Sequence, residues 1–321
     1  MFTTTTSFAL YLRQNRRELI NLDLTNCKLC PHLCGVNRFV ETGYCKTPAH
    51  PLVSSVCIHK GEEPVLSGTK GVCNVFFAHC NLHCIFCQNH QISRNNIYNH
   101  SWIESIDDLV NAIIPYLNSG IRMLGFVSPS HQSAQMVEVV EILNAKGYRP
   151  TVIYNTNCYD NVDTLRKLEG IVDIYLPDFK YLSNSLGERC SNVSNYSNVA
   201  VPALREMLRQ KGSSLLIGDD GLLDSGLIVR HLVLPGYVQE SIDLLRFLFE
   251  EFTPRLYISL MSQYYPPSGL ILDKPLCRSL NEDEYKLVVD LIEELGFRGW
   301  VQAIESQNCY RPDFFNDQPF L

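Results

Sequence analysis

Residues 80–89 read CNLHCIFCQN and set Cys80, Cys84 and Cys87 in a C-x3-C-x2-C spacing. Thiolates are the soft ligands on which iron–sulfur clusters are built. Three cysteines hold three irons of a [4Fe–4S] cube and leave the fourth open to a small molecule carrying an amine and a carboxylate. The plainer alternatives are three buried free cysteines or half of a zinc knuckle. The tight, asymmetric spacing and the aromatic Phe86 just before the last cysteine favour the cluster.

Immediately upstream, VCNVFFA (72–78) is an apolar run that reads as a buried strand, so the cysteine loop sits at a strand's C-terminal end. Downstream, apolar runs at 121–127, 150–155, 172–180, 227–234 and 255–261 read as further strands. Helical periodicity falls between and after them, at 133–146, 162–168, 202–211, 240–252 and 282–295. Ser105 caps a helix with Ile106, Leu109, Val110, Ile113 and Ile114 on one face, which Pro115 weakens and Gly120 ends. This alternation predicts an α/β fold of parallel strands joined by right-handed crossovers, a barrel or partial barrel of about six units.

In such a fold the chemistry sits on loops at the C-terminal ends of the strands. Those loops hold Ser128, Ser130 and His131, then Asn155, Thr156 and Asn157, then Asp178 and Lys180, and finally Ser262, Gln263 and Tyr264. Arg230 and His231 lie along the fifth strand. Each alone has an ordinary reading as a turn or cap residue. Their shared position makes them candidates.

Before the barrel, a helix is expected over 7–20, followed by CKLCPHLCGVNRFVETGYC with Cys27, Cys30, Cys34 and Cys45 in a C-x2-C-x3-C-x10-C pattern. Four soft donors among Pro31, Gly35 and Gly43 fit a loop closed around zinc or a second iron–sulfur cluster, and spacing does not separate the two. The expected organisation is residues 1–70 as a helix plus cysteine-rich extension and 71–321 as the barrel with an irregular C-terminal tail.

Thirteen cysteines without an export signal argue for metal binding rather than disulfides, and a cytoplasmic location is expected. A net charge of −7 gives no overall basic field for nucleic acid. The absence of a long apolar run argues against a membrane span.

The C-x3-C-x-aromatic-C element resembles that of the radical S-adenosylmethionine (radical SAM) enzymes. Taken with EEPVLSG, VSPSH, YLPDFKY, ALREMLRQ, RHLVLPG, SLMSQYYP and PDF, the chain is similar to the radical SAM proteins homologous to pyruvate formate-lyase-activating enzyme, in particular their stand-alone branch. The resemblance implies a partial (β/α)6 barrel, a [4Fe–4S] cluster on Cys80, Cys84 and Cys87, and S-adenosylmethionine. It implies that Asp178, Lys180 and Arg230 neighbour that cofactor, with Phe86 and Asn155 close by. The Gly-Gly-Glu element of many relatives is absent, and Ser128 and Ser130 of VSPSH are the expected substitutes. The implied activity is reductive cleavage to a 5′-deoxyadenosyl radical that abstracts a hydrogen atom. The implied partners are a reductant such as flavodoxin or ferredoxin and a glycyl-radical protein. Modification of a small molecule or another macromolecule, and a non-enzymatic electron-transfer role, are the competing functions.

Overall fold

A computed structural model describes residues 22–252, 254–269, 272–308, 311–316 and 318–320; the helix expected over 7–20 lies outside them. The strands are β1 (Val53–His59), β2 (Val72–Phe77), β3 (Met123–Val127), β4 (Thr151–Thr156), β5 (Ile174–Pro177), β6 (Leu216–Ile217), β7 (Leu223–Leu232), β8 (Tyr257–Met261) and β9 (Arg298–Val301). They form one sheet in the order β1-β2-β3-β4-β5-β7-β8-β9, with β6 a short antiparallel partner of β7. β2, β3, β4, β5, β7, β8 and β9 are parallel neighbours throughout, while β1 pairs antiparallel with β2. No pairing joins β1 to β9 among the described residues, so the barrel is partial.

Successive side chains of a strand point to opposite faces, and that period of two sorts the residues of this sheet into an inside and an outside. The outer set includes Cys73, Val75 and Phe77 of β2, Leu124 and Phe126 of β3, and Val152 and Tyr154 of β4. It packs under helices such as Ser133–Ala145, whose Met136, Val139, Val140 and Leu143 are buried. Each fully buried side chain of this size contributes about 1.5–3 kcal/mol. The inner set at the bottom is apolar: Val72, Met123, Ile153, Ile174 and Ile228 cluster with Leu66 of the short helix Pro64–Ser67. Above this plug the same strands turn polar. The barrel is therefore sealed below and open to chemistry above.

Gly125 marks the change of layer. A Cβ built on it would lie 2.0 Å from Asn74 Oδ1, so its lack of a side chain lets Asn74 reach inward to Glu62 Oε1 at 2.8 Å. Gly125→Ala is expected to destabilise the chain by about 1–3 kcal/mol through overpacking, read as a lower urea midpoint with an unchanged slope.

Ser105 caps the helix Ile106–Asn118 by accepting the Asp108 N–H at 3.0 Å. The helix runs past Pro115 because the proline removes the donor to the carbonyl of Asn111, which lies on the exposed side where water replaces it. Strand β1 and the helix Asn184–Ser191 are among the elements with no counterpart in the sequence expectations.

Candidate functional site

A cavity of about 460 Å³ opens at the C-terminal ends of the strands, within the range of small-molecule sites. Cys80, Cys84, Cys87 and Phe86 line it after β2, Ser128 after β3, Asn155 at the end of β4, and Asp178 and Lys180 after β5. Arg230 enters from β7, and Gln263 and Trp300 complete the wall from beyond β8 and from β9. All but one of the residues expected around the cluster and its cofactor are thus on one surface. The exception is Ser130, which lies behind the wall, 1% exposed, with its hydroxyl 3.2 Å from Thr156 Oγ1.

The cysteine loop is held by polar groups that face its sulfurs. Leu82 N–H and Asn157 Nδ2–H donate to Cys80 Sγ at 3.4 and 3.5 Å, and the Ser93 hydroxyl donates to Cys87 Sγ at 3.3 Å. The Ser191 hydroxyl lies 2.9 Å from Cys84 Sγ. Asn95 fastens the start of the loop, accepting Cys80 N–H at 3.0 Å and donating to Cys80 O at 3.1 Å. Burial pushes the Cys80 thiol up to about 12. A soft cation in the cavity is what turns such buried thiols into thiolates. Phe86 meets Tyr181 and Tyr264 edge to face, at 6.4 and 6.1 Å between ring centres.

Asp178 and Lys180 are an ion pair, with Lys180 Nζ 3.0 Å from Asp178 Oδ2. Burial works against the Lys180 charge, but Asp178 and then the Cys84 thiol outweigh it and hold the ammonium group above its ordinary range. One hydroxyl fixes the backbone beneath the pair. Tyr196 Oη accepts Lys180 N–H at 2.9 Å and faces the carbonyls of Asn157 and Asp178 at 2.8 and 2.9 Å.

Arg230 is clamped by carboxylates that the sequence reading left without a role. Its Nε donates to Glu63 Oε1 at 2.9 Å, and its Nη2 reaches both Glu63 and Glu62. His59 and Asn74 also bond Glu62. Burial disfavours the Glu62 charge, yet Arg230 and His59 together outweigh it and keep the carboxyl well below its usual range. The available signal was the adjacent acids of EEPVLSG just ahead of a helix-starting proline.

The two conspicuous histidines are structural. Burial lowers His131 to about 3 and His231 to about 4. His131 Nε2 bonds the Ala78 carbonyl at 3.1 Å, and His231 joins the Phe179 carbonyl to the Ser241 hydroxyl at 2.9 and 2.8 Å. Cys27, Cys30, Cys34 and Cys45 lie away from the large cavity and line a small one of their own. No described helix is long and apolar enough to cross a membrane.

A family model described as a 4Fe-4S single cluster domain matches residues 66–188, which contain the whole cysteine loop, Asp178 and Lys180. Over residues 66–188 the chain is similar to that family. Its sequence is 29% identical over 273 residues to the uncharacterized protein MJ0674 of Methanocaldococcus jannaschii, covering 84% of this chain and 75% of that one. Its fold is similar to that of anSMEcpe with bound AdoMet, at a TM-score of 0.50 and 11% identity over 70% of this chain and 58% of the other. Streptococcus suis SuiB bound to precursor peptide SuiA is matched at a TM-score of 0.47 and 12% identity, over 75% of this chain and 48% of the other, so the chain spans about half of that protein.

Proposed function

We propose that this chain cleaves S-adenosylmethionine reductively and directs the resulting radical at a C–H bond of a protein partner, a glycyl-radical enzyme. The observation that carries the first half is the convergence of Cys80, Cys84, Cys87, Asp178, Lys180 and Arg230 on one cavity of about 460 Å³. The donor set fits the cluster: three thiols on one short loop, each with a hydroxyl or N–H beside its sulfur. When bound, the cluster and S-adenosylmethionine supply an electron and a homolysable sulfonium bond, giving methionine and a 5′-deoxyadenosyl radical. A reductant of the flavodoxin or ferredoxin kind would provide the electron.

The chain's own residues bind, orient and shield. Cys80, Cys84 and Cys87 would each hold one iron, and the donors beside them would tune its potential. Asp178 would accept hydroxyl or ammonium protons of the cofactor, Lys180 would meet its carboxylate, and Ser128 and Asn155 would offer further hydrogen bonds. Ser128 has a left-handed φ of 55°, which turns the chain sharply at the cavity wall. Phe86 and Trp300 give the wall apolar faces that exclude water. The choice of a glycyl-radical partner is supported by the likeness of CNLHCIFCQN and YLPDFKY to the activating enzymes.

The test uses the anaerobically reconstituted chain with dithionite and S-adenosylmethionine. One 5′-deoxyadenosine per methionine is expected, and absence of both products rejects the cleavage reading. Adding candidate glycyl-radical enzymes should produce the paramagnetic resonance signal of a glycyl radical. Cleavage without that signal for any candidate, but with deuterium transfer from a small molecule, rejects the protein partner alone.

A further inference from the structure

The four N-terminal cysteines take no part in the chemistry above, and they share a cavity of their own. Cys27, Cys30, Cys34 and Cys45 line one cavity of about 10 Å³. Backbone bonds present them. Gly35 N–H reaches Cys27 O and Cys27 N–H reaches Val36 O, both at 2.9 Å, while Leu33 N–H reaches Cys30 O at 3.1 Å. On the returning strand of the loop, Tyr44 N–H donates to Cys34 Sγ at 3.4 Å. A Cβ on Gly43 would lie 2.7 Å from the same sulfur, so only glycine leaves Cys34 its place.

Arg38 is a second, independent indication. Its side chain is 2% exposed and also lines the cavity. The guanidinium donates to Pro48 O at 3.0 and 2.6 Å and to His131 O at 2.6 Å, all neutral acceptors. Among the described residues no carboxylate pairs with it, and a buried cation without a counter-charge is costly. Four thiolates around a divalent cation carry a net charge of −2. They would supply the missing anion.

We propose that Cys27, Cys30, Cys34 and Cys45 bind a single zinc ion as a tetrathiolate. The spacing of the cysteines left zinc and a second cluster equal, and the volume separates them. About 10 Å³ is the room of one water-sized sphere, enough for one ion at thiolate distance and far too little for a cube of four irons and four sulfides. Among the described residues no three Cys, His, Asp or Glu side chains already stand at ion-ligand spacing, so ion binding draws the thiols inward and its free energy adds to the stability of the lobe.

The ion supports the cluster loop from behind. His32, between two of the cysteines, stacks on Tyr44 at 3.6 Å and bonds Asn81 O at 2.8 Å. Asn95, which holds Cys80, also donates to Tyr44 O at 3.0 Å.

Metal analysis of the full chain carrying Cys80→Ala, Cys84→Ala and Cys87→Ala should find about one zinc, with neither iron nor acid-labile sulfide. Adding Cys30→Ser and Cys45→Ser should remove the zinc. Should these variants fail to fold, X-ray absorption at the zinc edge of the wild-type holoprotein reads the same site, with about four sulfur neighbours near 2.3 Å expected. Iron with sulfide on the N-terminal cysteines, zinc retained after their replacement, a nitrogen- or oxygen-rich zinc shell, or no zinc at all would overturn the proposal.

Discussion

Cys84→Ala is expected to yield no measurable 5′-deoxyadenosine from S-adenosylmethionine under reducing conditions in which the wild-type chain is expected to turn over. The thiol lies centrally in the loop, between Cys80 and Cys87, where the Lys180 charge favours its thiolate and the Ser191 hydroxyl lies 2.9 Å away. Alanine there leaves one iron without a protein ligand in a cavity whose remaining donors are oxygens and nitrogens poorly matched to it. Iron and sulfide per chain should fall with the activity, while the far-ultraviolet circular dichroism stays unchanged because the loop lies outside the sheet. A variant that keeps its turnover would remove this loop from the cluster.

Arg230→Ala is expected to cost about 3–5 kcal/mol of folding stability, the largest effect foreseen outside the cysteines. The substitution leaves Glu62 and Glu63, both buried, facing each other without a cation. The pH dependence identifies the cause. In the wild-type chain the Glu62 carboxyl is held below its usual range, so its contribution is complete above about pH 4.3 and fades as pH falls toward the folded value. In the variant only the bonds from His59 and Asn74 still oppose burial, and the carboxyl pKa rises. Its stability therefore improves as the medium becomes acid, and the gap to wild type narrows. Urea midpoints at pH 7 and pH 5 measure both. A combined Glu62→Gln, Glu63→Gln, Arg230→Met chain should recover much of the loss, and an equal loss at both pH values would point instead to lost packing around Arg230.

The elements around the site were legible in the sequence wherever one period ran undisturbed. β2, β3, β4 and β8 are short apolar runs bounded by glycine, proline or polar residues, and the helix Val238–Glu251 has a clear apolar stripe. β1 escaped notice because VSSVCIH mixes serines into its exposed-leaning face, and only pairing with β2 makes it a strand. The helix over Asn184–Ser191 escaped because its residues favour turns, and Ser183 caps it through the Leu186 N–H. At the site, Ser128, Asn155, Asp178 and Lys180 at strand ends and Arg230 along its strand all line the cavity. Ser130 lies behind that wall because a short 3-10 turn, Pro129–His131, rotates it inward. Glu62 and Glu63 precede the barrel in sequence, and no strand-end rule reaches them.

The cavity wall also fixes an order of events in time. Its cysteines are made early, but Trp300 and Phe320 belong to the same wall, and Phe320 packs on His59 with ring centres 4.3 Å apart. Ribosomes add about 5–20 residues per second, so the three thiols emerge roughly 10–50 s before the pocket that encloses them can exist. Through that interval the nascent loop lacks the part of its enclosure that Trp300 and Phe320 supply. Under the proposed function, loading of the cluster into its finished enclosure would follow translation, and the yield of active protein would depend on how well the reduced loop is guarded while the ribosome is still at work.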